Sequence, residues 1–167
     1  RYFLYWKDAM WQAVELATGT TRTLGATAPR FTNTEFDYPG PKPAYGIASY
    51  AADGSGVIVP ARYDLWFLPF DGGPARNLTN GVGAKSEVVL RPVRMEPIDS
   101  SVRKAARVTR ELDLSKPITL SAYGEWTKKA GFYRLANGQL QSLVYEDAAF
   151  STPSRARAAS SRAASAR

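Results

Sequence analysis

Three stretches of this chain align on their glycine turns, and that repetition restricts the possible folds more than any other feature of the sequence. They are residues 11–24, 65–78 and 131–143. Each is a run of large apolar residues, a short turn carrying glycine, and a more polar strand closing on Leu24, Leu78 or Leu143. Thr18-Gly19, Asp71-Gly72-Gly73 and Asn137-Gly138 supply the positive backbone angles that tight hairpins demand. The flanks are rich in β-branched and aromatic residues, so each unit reads as a β-hairpin.

Further strands precede the hairpins. Residues 46–50 and 56–59, joined at Asp53-Gly54, complete a four-stranded meander over about 45–80. Residues 87–90 and 118–123 do the same for the third unit, and in the first unit the run from Tyr2 to Trp6 already stands as the second strand. Four-strand units recurring roughly every 40–65 residues, with few helices, predict an all-β chain and a partial β-propeller. The expected blades are about 1–25, 45–80 and 86–146, some two and a half in all; a sandwich of short strands remains the alternative. Trp11, Trp66, Phe67, Phe70, Phe132 and Tyr133 are expected to pack between blades, with Gly73, Leu78 and Gly138 as structural positions beside them.

Two connections interrupt the pattern. Residues 26–45 carry Pro29, Pro39, Pro41 and Pro43, which forbid a central strand and predict a long surface loop. Residues 99–112 predict a short inserted helix, with Asp99 as N-cap and Val102, Ala105, Ala106, Thr109 and Leu112 on an apolar stripe. The partial propeller is thus expected over 1–150. Residues 151–167 are Ser/Ala/Arg-rich with nothing to bury and read as a disordered tail.

The chemistry is limited by what is missing. The chain has no His and no Cys, so its own residues cannot make a Ser-His-Asp triad, a Cys-His dyad, a Cys/His zinc site or a disulfide. No catalytic residue, metal ligand or cofactor is expected, and the compartment stays open. The net charge of +7 owes much to Arg155, Arg157, Arg162 and Arg167 in the tail, so the body is too mildly basic to read as a nucleic-acid surface. No apolar run is long enough for a membrane span. The chain begins with Arg inside an aromatic run, the first Met being Met10, which reads as a fragment or processed product.

A few polar residues are candidates for binding. Glu35 and Asp37, with Tyr38, could line a cation or amine site in the Pro-rich loop, or simply be solvated. Glu125, beside Trp126 with Lys128 and Lys129, could face a substrate, or belong to a strand-end loop with a packed Trp. Arg103, Lys104, Arg107 and Arg110 on the expected helix suit phosphates or a solvated face. A basic nucleic-acid binder resting on that helix and the tail is a third reading, which steeply salt-dependent binding would test.

The stretch from Tyr63 to Gly81, running Tyr63-Asp64-Leu65-Trp66-Phe67 and then Asp71-Gly72-Gly73 and Asn77-Leu78-Thr79, resembles a blade of the propeller that precedes the catalytic domain in bacterial prolyl oligopeptidase family serine peptidases. The same pattern recurs in TolB-type propellers. Asp113-Leu114-Ser115-Lys116-Pro117 with residues 120–129, and Tyr38-Pro39-Gly40 near Pro43-Ala44-Tyr45-Gly46, are similar to one subgroup of large, exported members. The resemblance covers about 2–157 and is lost in the tail, which then reads as a frame error or a genuine basic extension. It implies a non-catalytic, peptide-gating propeller segment whose partners are an α/β-hydrolase domain and further blades of the same protein, and a peptide substrate, with no nucleic acid and no membrane. It also suggests a periplasmic or secreted protein. The hydrolase elbow G-x-S-x-G has no counterpart, since Gly54-Ser55-Gly56 lacks its spacing and falls in a hairpin turn. The resemblance also makes Asn77-Leu78-Thr79 a strand ending rather than a glycosylation site. A TolB-like interaction module without enzyme is the alternative.

Overall fold

The computed structural model describes residues 1–28, 31–93, 95 and 111–153. Its secondary structure is almost wholly β, in three sheets, none closed on itself. The first sheet is an antiparallel meander of β1 (Tyr2–Lys7), β2 (Met10–Glu15) and β3 (Thr21–Leu24). The second runs β4 (Ser49–Ala51), β5 (Gly56–Pro60), β6 (Leu65–Pro69) and β7 (Arg76–Asn77). After a short helix α1 (Val82–Ser86), the third sheet is built from β8 (Val88–Pro92), β10 (Ile118–Gly124), β11 (Ala130–Ala136) and β12 (Gln139–Glu146), in that order across the sheet. A two-residue strand β9 (Glu111–Leu112) lies parallel to β4 at the edge of the second sheet.

The turns form where glycine relieves the left-handed backbone. Gly19, Gly54, Gly72 and Gly138 take φ of 72°, 72°, 83° and 70°. Gly73 does not share this role: its φ is not positive, and its N–H instead donates to Asp71 Oδ1 at 2.8 Å, closing an Asx turn. The β1–β2 turn has no glycine at all, because Asp8 and Ala9 take φ of 51° and 61° between Lys7 and Met10, which pair directly.

Alternation on the strands of the second sheet buries both of its faces. Ile58, Leu65 and Phe67 point one way, into a core with Val88, Leu90, Ile118, Leu120 and Leu135 of the third sheet. Val57, Val59, Leu68 and Phe70 join the other core with Trp11, Ala13 and Leu24 of the first sheet and Phe31 of the Pro-rich segment. A strand buried on both faces needs an unbroken apolar run, which is what Val57-Ile58-Val59 provides. Each such side chain contributes on the order of 1.5–3 kcal/mol.

Trp11, Phe67 and Phe70 are buried in these cores, and Trp66 and Tyr133 pack at their margins. Phe132 departs from the expectation: alternation along β11 turns Tyr133 and Leu135 inward and Phe132 outward, where its ring lies edge-on to Phe150, 5.7 Å away, outside both cores. A β-bulge in β12 explains Leu143. Ser142 pairs with Tyr133 and Val144 with Phe132, so Leu143 is the extra residue and is 54% exposed, while Leu140, opposite Leu135, takes the inward position. Leu143 is therefore no counterpart of Leu24 and Leu78. At the end of the expected helix, Glu111 and Leu112 are strand, because Leu112 packs on the core beside β4 and its carbonyl accepts the Ala52 N–H at 3.0 Å. Residues 99–110, including Arg103, Lys104, Arg107 and Arg110, and residues 154–167 of the tail lie outside the described residues.

Candidate functional site

Antiparallel meanders place alternate turns at the same end of the stack, and at one end three connections meet: the Pro-rich loop, the β5–β6 turn and the β10–β11 turn. The Pro-rich segment is pinned rather than free. Thr32 bridges Ala44, the Asn33 N–H donates to Pro43 O at 2.7 Å, and the Phe31 ring is sunk in the core.

The β5–β6 turn, Ala61 to Asp64, is held from beneath by two ionic groups, the half-buried Arg91 and the buried Asp64. The Arg91 guanidinium donates to the carbonyls of Ala61, Arg62 and Leu90 at 3.0, 3.0 and 2.8 Å. Burial pulls its pKa below the ordinary value, yet arginine remains a cation at any working pH. Asp64 accepts from Thr79 Oγ1 at 2.6 Å and from the N–H groups of Gly83 and Ala84 at 3.0 and 3.1 Å. A Cβ on Gly83 would stand 2.8 Å from Asp64 Oδ1, so glycine is what lets α1 approach this carboxylate.

On that platform Arg62 and Tyr63 face the β10–β11 turn. Arg62 ion-pairs with Glu125 Oε1, and the Tyr63 hydroxyl donates to Glu125 Oε2 at 2.5 Å. The two bonds draw the Glu125 carboxyl below its usual range, the tyrosine contributing most. Conversely the carboxylate, helped by burial, pushes the Tyr63 phenol up to about 12. Lys128 Nζ donates to the Glu125 carbonyl at 2.6 Å, and Glu125 N–H donates to Glu87 O at 3.0 Å, so the turn is fixed from three sides. Glu35 Oε1 lies 3.9 Å from Arg62 Nε in an exposed pair.

The structure therefore brings two of the sequence candidates, Glu35 and Glu125, to one arginine. Asp37 stands apart: it is exposed and joined to none of the described residues by a hydrogen bond or ion pair. Tyr38 and Trp126 are 72% and 71% exposed, so Trp126 is not the packed tryptophan of the alternative reading. Chemically, Glu125 is committed to a tie between the second and third sheets. Glu35 and Asp37 keep carboxylate capacity for a cation. Arg62 and Arg91 are not singled out from sequence, and Tyr63 enters only as the first residue of the quoted blade; Arg62 and Tyr63 carry one local signal, an Arg-Tyr-Asp tripeptide between two strands, and Arg91 carries none.

The other chemical strings resolve as turns. Ser55 Oγ donates to Asp53 Oδ1 at 2.6 Å within the β4–β5 turn. Asn77 Oδ1 accepts the Thr79 N–H at 2.9 Å. Among the described residues no group of three acidic side chains could hold a metal, and no helix is long and apolar enough to cross a membrane. Comparison with known protein families, with curated proteins and with solved structures finds no match.

Proposed function

We propose that this chain is a segment of a β-propeller belonging to a prolyl-oligopeptidase-type serine peptidase, a non-catalytic part that gates the entry of peptides to a hydrolase domain. One observation carries the reading: a four-stranded meander is buried on both faces by the meanders before and after it, the packing that successive propeller blades require. The resemblance of Tyr63 to Gly81 to a blade of such peptidases is what suggests the family, and the absence of His supports a role other than catalysis. In this reading the rim of Glu35, Arg62 and Glu125 lies along the path of the peptide.

The test is to sequence the encoding locus in long reads, translate it beyond the codon for Arg157, and assay the complete product on proline-containing peptides. Further meanders followed by a G-x-S-x-G segment, Asp and His, with peptidase activity, are the expected result. A stop after Arg167 with no hydrolase in the same gene overturns the peptidase assignment and leaves a TolB-like interaction module.

A further inference from the structure

At the end of the stack opposite Arg62, where β11 turns into β12, a groove of about 230 Å³ opens between the second and third sheets. Its floor is apolar, formed by Leu78, Leu114, Ile118 and Leu135. Its lips carry Arg76 and Lys116, and among the described residues no carboxylate lines it. The lips are held apart at a fixed distance, because Asn80 Nδ2 donates to Gly138 O across the groove at 2.7 Å.

The two cations are not equivalent. Lys116 is engaged with Asp113 Oδ2 at 3.0 Å. The Arg76 guanidinium lies over the Phe67 ring, 4.6 Å from its centroid, and makes no hydrogen bond or ion pair with any described residue. The ring holds the guanidinium at the groove, and its N–H donors have no partner among the described residues, which suits it to a carboxylate. Such a cation above an apolar trough is complementary to one class of ligand.

We propose that this groove binds a small organic carboxylate with an apolar body, the carboxylate on Arg76 and the body on Leu78, Leu114, Ile118 and Leu135. A medium-chain fatty acid and the apolar C-terminal residue of a peptide share this chemistry. The site stands whether or not the chain belongs to a propeller.

The test is ligand-observed saturation-transfer NMR on the full chain, with octanoate, N-acetyl-L-leucine and 1-octanol as probes, each variant first matched to the parent by circular dichroism. Octanoate should bind saturably, with 1-octanol about fivefold weaker, the scale of one exposed charged contact. Arg76→Gln should weaken octanoate by about the same fivefold and leave 1-octanol unchanged. Leu114→Trp, which crowds the apolar floor without touching the charge, should abolish binding of every probe. Arg134→Gln, an exposed cation elsewhere on β11, should change nothing. Tighter binding of N-acetyl-L-leucine than of octanoate supports the proposal with a peptide terminus as the natural ligand, and the reverse order supports it with a fatty acid. Failure of both acids to saturate, or octanoate binding unchanged by either Arg76→Gln or Leu114→Trp, overturns it.

Discussion

Phe67 and Leu68 are consecutive on β6, yet their side chains enter different cores, Phe67 between the second and third sheets and Leu68 between the first and second. Truncating each to alanine therefore tests the two-faced burial of the middle sheet separately. Leu68 is fully buried, so Leu68→Ala should cost about 2–5 kcal/mol, and Phe67→Ala about 3–5 kcal/mol. The phenylalanine loses in addition its contact with the Arg76 guanidinium. Because the two side chains share no core, the double variant should lose nearly the sum, about 5–10 kcal/mol, comparable with the whole stability of an ordinary domain. The assay is urea denaturation at fixed protein concentration, followed by circular dichroism and tryptophan emission. Trp6, Trp11 and Trp66 all border the core that Leu68 fills, whereas Trp126 is exposed. Leu68→Ala should accordingly shift native emission to the red far more than Phe67→Ala does. A loss below about 1 kcal/mol for either single variant, or a double variant no worse than the poorer single one, would refute the stacked arrangement.

Other consequences are as direct. Glu125→Gln should bring the Tyr63 phenol, held near 12, back toward its ordinary value of 10.0, which ultraviolet titration detects as earlier phenolate formation; identical curves would contradict the Tyr63–Glu125 bond. Since that phenol's folded pKa is raised, its contribution to stability is complete below pH 10.0 and is lost as the pH climbs to about 12. Gly131→Ala should destabilise by about 3 kcal/mol in thermal melts, because its Cβ would run into the backbone oxygen of Val144 and the β11–β12 pairing has to open; a melt like that of the parent would contradict the register. Phe3 and Leu143 are exposed on the two outermost sheets, so the isolated chain should self-associate in sedimentation, and Phe3→Lys should lessen it. A monodisperse parent monomer would count against that.

Much of the fold was legible because its turns rely on a property of glycine that sequence displays directly. Where φ is positive without glycine, as at Asp8 and Ala9, the turn was invisible, and the β1–β2 hairpin had to be inferred from the strands around it. The repeat aligned Leu143 with Leu24 and Leu78 because spacing was its only guide, and one inserted residue in β12 was enough to turn that leucine outward. β9 was missed because two residues carry no periodicity, and only the edge of β4 makes them a strand. At the rim the carboxylates Glu35 and Glu125 could be nominated by type, but the arginine that joins them lies 63 residues from Glu125 in the chain. Long-range pairing of this kind leaves no local pattern.

The rim divides its carboxylates by how firmly each is held, and this decides which of them a ligand could recruit. Releasing Glu125 from Arg62 also breaks its bond to Tyr63 and frees the β10–β11 turn from the second sheet. Releasing Glu35 gives up only an exposed, solvent-screened contact at 3.9 Å. Under the peptide-gating proposal, a peptide amine at this end is met by Glu35 and Asp37 from the Pro-rich loop, with Glu125 left in place as the tie that keeps Arg62 pointing at the rim. Under the peptide-gating proposal, Glu35→Gln in the complete protein should raise KM for peptides with a free N-terminus by about fivefold, leave kcat and the melting temperature unchanged, and spare N-acetylated peptides. Glu125→Gln should instead lower the melting temperature and affect free and acetylated peptides alike. If the two variants behave in the opposite sense, the ion pair seen at 3.9 Å is the structural one and the assignment of roles along this rim is reversed.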